Sequence, residues 1–252
     1  MKDIEVFNEG YSKYYNLLYA DKNYADEADY IEGLLKKHAP GSETILEYGC
    51  GTGEHGLLLN KKGYDVYGIE RSPAMAKIAS SRGLSCEVGD ITTLKLDRIF
   101  DSVLSLFHVI SYINSNQQLL SLFRDTRKRL RKNGVFIFDV WFSPAVLNQM
   151  PENRIKKMEN GEIEVTRKAT PEIDHIGNIV DVNYDILVKN KLSGEISEFK
   201  EKHSMRHFGV PEIEMLASQS GFSVKGVEEF LSGDSPSTKT WGVTFILQAN
   251  NE

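Results

Sequence analysis

The rhythm of apolar positions changes along the chain. From Thr44 to Phe142, short and nearly continuous apolar runs alternate with stretches of helical spacing. The runs are "TILEYG", "YDVYGIE", "LSCEVGD", "FDSVLSLF" and "GVFIFDVW". Strands that are apolar at nearly every position are buried on both faces, as in a parallel sheet covered by helices. Between them, residues 53–62, "SPAMAKIASSRG" and "NQQLLSLFRDTRKRL" predict helices. The second of these has a Ser cap, a Pro at the first helical position and a closing Gly. The third ends in basic residues that suit the helix dipole. Upstream, Tyr30, Ile31, Leu34 and Leu35 predict a helix stopped by Pro40 and Gly41.

Beyond Pro144 the rhythm shifts. "SPAVLNQM" predicts a short helix, and from about Glu162 to Phe208 the period is two. Val180, Val182, Tyr184, Ile186 and Val188 share one face, with Asp181, Asn183, Asp185 and Lys189 among the residues opposite. That pattern predicts antiparallel strands with one wet face. "PEIEMLASQSGF" then predicts a helix, and "FSVKGVEEFL" and "WGVTFILQA" two final strands. The expected fold class is α/β: a doubly wound, mostly parallel seven-stranded sheet with helices on both faces, plus a small antiparallel β insertion over the site.

Charge and cysteine content narrow the chemistry. Thirty basic against 36 acidic residues leave a net charge of -6, which argues against non-specific binding of nucleic acid. No apolar run is long enough to span a bilayer, and "MKDIEVFNEG" lacks the apolar stretch of a signal peptide, so a cytoplasmic protein with no membrane partner is expected. The two cysteines, Cys50 in a glycine turn and Cys86 in an expected buried strand, form no disulfide framework. His203 and His207 invite a metal reading. On a strand they lie roughly 13 Å apart and cannot chelate one ion, so no metal is expected.

The chemistry concentrates in "TILEYGCGTGEHG", a strand that enters a glycine-rich turn. Gly49, Gly51 and Gly53 give GxGxG, and a dinucleotide fingerprint would need its third glycine where Glu54 stands. No Lys follows to make a phosphate loop. Glu70 ends the second strand, 17 residues after Gly53, where a carboxylate accepts ribose hydroxyls. Asp90 ends the third strand, where a carboxylate accepts from an adenine amino group. Each carboxylate alone reads as a helix cap. Together at the carboxyl edge of the strands they read as a ligand site.

With these residues, the chain resembles the class I S-adenosylmethionine-dependent methyltransferases. The resemblance rests on "LEYGCGTG", "GIE", "GDI" and "FDSVLSLFHVISYI", from about residue 40 to 142. Glu47 stands where Asp is more usual in that family. A closer resemblance covers nearly the whole chain. "YNLLYADKNYADEADYI", "DVWFSP", the antiparallel insertion and "HSMRHFGVPEIEMLASQSGF" are similar to the N-methyltransferases of dTDP-linked amino sugars. In that group an Arg before the last strand is thought to hold the diphosphate. Here the loop reads "SPSTKTWG", and Lys239 is the nearest cation, a point charge rather than a fork.

The resemblance implies S-adenosylmethionine as cofactor, with a set of contacts. Glu47, Gly49, Gly51 and Gly53 would serve the methionine part, Glu70 the ribose, Asp90 and Ile91 the adenine, and Leu106 the cofactor amino group through its carbonyl, with Arg71 a further cofactor contact. Tyr11 and Tyr15 would close over the cofactor, with one hydroxyl near the methyl group or the carboxylate, and Tyr15 is a candidate catalytic residue. His108 and Tyr112 are candidate acid–base groups, and Tyr112, Asp139, Trp141, His203, Lys239 and Trp241 candidate acceptor contacts. His55 is expected to be structural. The implied organisation is a cofactor-binding core with a helical cap over 1–150, the insertion over 151–209 as lid, substrate or homodimer surface, and the completion of the sheet over 210–252. The expected reaction is N-methylation of a small molecule, a nucleotide-linked amino sugar. The alternatives are an O-methyltransferase, an amine methyltransferase on an unrelated metabolite, a nicotinamide oxidoreductase and a non-catalytic module that binds S-adenosylmethionine.

Overall fold

Five strands lie parallel in the order β3-β2-β1-β4-β5. They are β1 (Thr44–Tyr48), β2 (Asp65–Glu70), β3 (Ser85–Val88), β4 (Phe100–Ser105) and β5 (Leu130–Phe142). The computed structural model describes Tyr14, residues 17–19 and residues 22–250. β11 (Gly242–Ala249) runs antiparallel along β5, and β10 (Phe222–Glu229) antiparallel along β11, which completes a seven-stranded core. Val135–Val140 of β5 are all buried, as a central strand covered on both faces requires.

Helices α1 (Tyr24–His38), α2 (Glu54–Lys61), α3 (Pro73–Ser81), α4 (Asn116–Lys128), α5 (Ser143–Gln149) and α6 (Val210–Gln219) complete the layers. Two large hydrophobic clusters among the described residues pack these helices on the sheet. One packs Phe123 of α4 and Leu216 of α6 against Phe136, Phe138 and Phe245. The other packs Ile31, Leu35 and Leu59 against Ile45, Val66 and Ile137. Ser72 caps α3, with its hydroxyl accepting from Met75 N, and Ser115 caps α4 in the same way through Gln118 N. Among the described residues, no helix is long and apolar enough to cross a membrane.

The insertion is a second sheet of four antiparallel strands: β6 (Arg154–Glu159), β7 (Ile163–Asp174), β8 (Ile179–Asn190) and β9 (Ile196–Phe208). Among the described residues, its strand pairing with the core is confined to Trp141 and Phe142 of β5 with His207 and Phe208 of β9. β6 begins eight residues before the period-two stretch. It is the edge strand, with no fully buried position, so no apolar alternation betrays it. Cys86 corrects a second expectation: β3 is the other edge, and Cys86 is half-buried.

The chain leaves β1 for β2 on one side and returns to β4 on the other. This reversal opens a crevice above the carboxyl ends of β1 and β4, where open α/β sheets bind ligands.

Candidate active site

A cavity of about 440 Å³ fills that crevice. Its floor is the glycine turn. Gly49 has φ +65°, and a Cβ there would lie 2.6 Å from Val109 Cγ2, so only glycine fits beneath the 3₁₀ turn Val109–Tyr112. Gly49 N and Cys50 N both donate to Ile69 O, at 2.7 and 3.2 Å. Gly51 N donates to Glu70 Oε2 at 2.9 Å, and Ser72 N to Glu70 Oε1 at 2.7 Å. The buried Glu70 thus ties two loops together and keeps a second lone pair on each oxygen. Burial pushes its carboxyl above the usual range, against the two backbone donors.

Gly49, Gly51, Glu70, Arg71, Asp90, Ile91, Leu106, His108, Tyr112, Trp141 and His203 all line the cavity. Asp90 Oδ1 accepts from Thr92 N at 2.8 Å and Thr92 Oγ1 at 2.7 Å, an Asx turn that fixes the carboxylate. Gly53 does not line it. Its φ of +85° starts α2, and a Cβ would meet Leu84 at 3.1 Å and Ala79 at 3.2 Å, so this glycine serves helix packing. Glu47 is also absent from the wall. It is buried beneath the turn, with Oε1 4.0 Å from His55 Nδ1. Tyr11 and Tyr15 lie outside the described residues.

At the far end, β4 runs into Phe107 and His108, both in the left-handed region at φ +65° and +63°. Such backbone is costly for residues with a Cβ and is held by its surroundings. Asp139 of β5, only 1% exposed, does the holding. His108 N donates to both of its oxygens, and His108 Nδ1 lies 2.6 Å from Oδ2. Burial would raise the Asp139 carboxyl, yet the His108 contacts keep it below the usual range. Asp139 therefore acts through His108 rather than from the wall. Trp141 packs edge-on to His108 at 6.2 Å, and Trp241 sits behind Trp141, donating Nε1–H to Gln149 Oε1 at 2.9 Å. Lys239 is exposed and outside the cavity. These placements correct the direct-contact roles expected of Trp241 and Lys239.

The insertion supplies a roof of Val182, Tyr184, His203 and Met205. His203 Nδ1 lies 2.7 Å from Tyr112 Oη. His207 turns away to Ser143, with Nδ1 2.8 Å from Oγ.

Several lining residues have no sequence signal. Lys22 Nζ sits 3.5 Å from the Phe107 ring centroid and 3.0 Å from Glu27 Oε2, and burial pushes its pKa down. His55, expected to be structural, lines the cavity and also sits 2.6 Å from Glu27 Oε2. Only the approach of α1 to α2 brings these groups together.

The cavity suits a nucleoside joined to an amino acid. One end offers a backbone cradle closed to any Cβ, the middle a carboxylate with free lone pairs, and the other end Asp90 beside Ile91 and Met75. The comparisons agree. Residues 45–134 match the family described as a methyltransferase domain. The chain is 25% identical to a putative methyltransferase of Bacillus subtilis, over 95% of this chain and 96% of that protein. It is 27% identical to a dTDP-3-amino-3,6-dideoxy-alpha-D-glucopyranose N,N-dimethyltransferase of Streptomyces fradiae, over 84% of this chain and 81% of that one. A solved S-adenosylmethionine-dependent methyltransferase from Clostridium acetobutylicum superposes with a TM-score of 0.82 at 21% identity, covering 98% of this chain and all of that one. This chain is thus an S-adenosylmethionine-dependent methyltransferase, with S-adenosylmethionine as its cofactor, and it resembles the class I enzymes. Within that class it resembles the N-methyltransferases of dTDP-linked sugars.

Proposed function

We propose that this methyltransferase acts on the amino group of a small molecule, a sugar amine carried on a nucleotide. One observation carries the reading. The cavity continues from the glycine turn to the roof formed by β8 and β9, so a cofactor and a compact acceptor share one enclosed space. The Streptomyces fradiae relative, named for a dTDP-linked amino sugar, supports the amino-sugar half.

Bound S-adenosylmethionine supplies a methyl group on a positively charged sulfur, already a good leaving group. In this reading the turn at Gly49 and Gly51 holds its methionine part. Glu70, with Arg71 beside it, takes the ribose, Asp90 and Ile91 take the adenine, and Leu106 offers a carbonyl to the amino group. His108, Tyr112, Trp141 and His203 surround the acceptor. Their task is to align an amine lone pair with the methyl and to exclude water. Alignment of this kind is worth up to about 7–11 kcal/mol of barrier. A neutral amine attacks without a strong base, whereas a hydroxyl requires one.

A second reading is favoured by the position of Lys239 outside the cavity. Among the lining side chains the cations are Lys22 and Arg71, apart from the histidines. An amine or hydroxyl on a metabolite without a diphosphate would leave Lys239 unused.

Methyl-labelled S-adenosylmethionine tests both, with nucleotide-linked amino sugars and their hydroxyl analogues as acceptors and mass as the readout. Label on the amino sugar supports the proposal. Label only on the hydroxyl analogues replaces it with O-methylation. No label on either, with cofactor binding confirmed, discards the sugar.

A further inference from the structure

We propose that Cys50 and Cys86 are a thiol pair oxidised by peroxide, and that the disulfide they form loosens the cofactor cradle. The inference rests on the cofactor and is independent of the acceptor. Both residues are free thiols, and their sulfurs lie 3.4 Å apart. The chain has no other cysteine, so this is the one disulfide it can form within itself. Cys50 belongs to the glycine turn and lines the cavity, whereas Cys86 stands on β3, outside the cavity wall.

The pair is built into the sheet. Gly68 of β2 is in register with Cys86 of β3, on strands about 4.8 Å apart. The Cys50 side chain lies over Gly68. A Cβ added to Gly68 would sit 2.6 Å from Cys50 Sγ and 3.0 Å from Cys50 Cβ. Any other residue at 68 would fill the space that the sulfur occupies. Glycine weakens a strand interior and often marks a close approach. Here it gives the turn after β1 a route to β3, two strands away in the sheet. Around the sulfurs the packing is apolar, with Leu59, Ala79 and Leu84 in the same cluster as Cys50.

The two thiols are not equivalent. Cys50 is 6% exposed, and Cys86 is half-buried on an edge strand. A small oxidant therefore meets Cys86 first. The Cys50 S–H donates to the Cys86 sulfur and holds the Cys86 thiol below its ordinary pKa, against burial and the carboxylates of Glu70 and Glu87. The same hydrogen bond, and then burial, pushes the Cys50 thiol up. Cys86 is thus the nucleophile, because the thiolate is the reactive form, and Cys50 is the resolving thiol.

The chemistry balances with hydrogen peroxide as the oxidant. The Cys86 thiolate attacks one peroxide oxygen, the O–O bond breaks, and hydroxide leaves, taking a proton from solvent to become water. Cys86 is then a sulfenic acid. The Cys50 thiol loses its proton and its sulfur attacks the Cys86 sulfur. The S–O bond breaks, and the departing hydroxide takes that proton as a second water. Two thiols are oxidised and one peroxide is reduced. A dithiol reductant reverses the change by thiol–disulfide exchange.

Bond formation disturbs the cavity floor. The sulfurs must close from 3.4 Å to about 2.05 Å, which draws Cys50 toward β3. The turn has little slack. Gly49 is pinned beneath Val109, Cys50 N donates to Ile69 O at 3.2 Å, Gly51 N to Glu70 Oε2 at 2.9 Å, and Gly53 N to Cys50 O at 2.9 Å. Moving Cys50 displaces the backbone on which the methionine part of the cofactor rests.

The test uses the full chain and C86S, whose substitution lies outside the cavity wall. After mild peroxide treatment the intact mass of the parent should fall by two hydrogens, with a Cys50–Cys86 link in the peptide map that dithiothreitol removes. Titration calorimetry should show S-adenosylmethionine binding about 10-fold weaker in the oxidised parent than in the reduced one, within the usual range for coupled sites, and unchanged in peroxide-treated C86S. By reciprocity, saturating cofactor should favour the dithiol by the same factor in a glutathione redox titration. Sulfinic acid on Cys86 without a crosslink overturns the pair. A crosslink that leaves cofactor affinity unchanged overturns its effect on the cradle. Neither readout needs an acceptor, so a parent that methylates no amino sugar ends the functional reading above and leaves this one to its own result.

Discussion

The backbone N–H of His108 donates to both carboxylate oxygens of Asp139, and the imidazole of the same residue lies 2.6 Å from Oδ2. One buried charge thereby fixes a left-handed corner at the end of β4. Asp139→Asn should lower stability by about 1.5–3 kcal/mol near neutral pH, the usual cost of losing hydrogen bonds to a charged group. The Asp139 pKa is depressed in the folded state, so its contribution is complete above the unfolded value, about 3.9, and disappears as pH falls through the folded one. Denaturant unfolding of both proteins should therefore show a gap that closes on acidification. A gap that is constant with pH would remove the charge from the explanation.

Glycine at position 49 is required twice, by φ +65° and by Val109 Cγ2 at 2.6 Å from any added Cβ. Gly49→Ala should cost about 1–2 kcal/mol from the backbone alone, and overpacking adds about 1–3 kcal/mol. Combining it with Val109→Ala should relieve only the second part. Calorimetric binding of S-adenosylmethionine should weaken in the single variant. Full recovery in the double variant would show that φ carries no cost here.

These residues show what is legible in a sequence and what is not. β5 reads correctly because burial on both faces leaves a continuous apolar run, and its one anomaly, Asp139, holds the backbone and imidazole of His108. Glu70 and Asp90 reach the cavity wall because strand ends converge on one edge in this topology. Gly53 misleads because a spacing cannot separate a glycine that faces a ligand from one that faces Leu84. β6 is silent because water reaches most of it. Lys22 and Glu27 are invisible for a different reason. Their meaning comes from partners far along the chain, and no local pattern encodes them.

Glu70 accepts from Gly51 N and Ser72 N and still has lone pairs to offer. Glu70→Ala should weaken S-adenosylmethionine binding by about 1.5–3 kcal/mol, through both lost ribose acceptors and a loosened turn. Glu70→Gln keeps one acceptor oxygen and should lose less. Titration calorimetry separates the cases. Equal affinity in the parent and the alanine variant would withdraw Glu70 from the ribose.

Glu47 gives the clearest pH signature. It is 1% exposed, its Oε2 accepts no side-chain or other hydrogen bond of good geometry among the described residues, and a Cβ on Gly56 would lie 2.7 Å from that oxygen. Burial first, then the negative forms of Cys86 and Glu70, push its carboxyl up to about 8. The raised value means that the folded chain holds a proton which the unfolded chain releases near pH 4.3. Its contribution to stability is thus complete below about pH 4.3 and is lost as pH rises through about 8. Glu47→Gln carries no such proton, so its Tm should fall less than that of the parent between about pH 6 and 9, where few other carboxyls titrate. The cofactor adds a second handle. An ammonium brought near Glu47 by the methionine part favours the ionised carboxyl, so binding near pH 7 should release protons in the parent and fewer in the glutamine variant. Calorimetry in two buffers of different ionisation enthalpy reads that number. Identical proton release in the two proteins would mean that the ammonium settles away from Glu47.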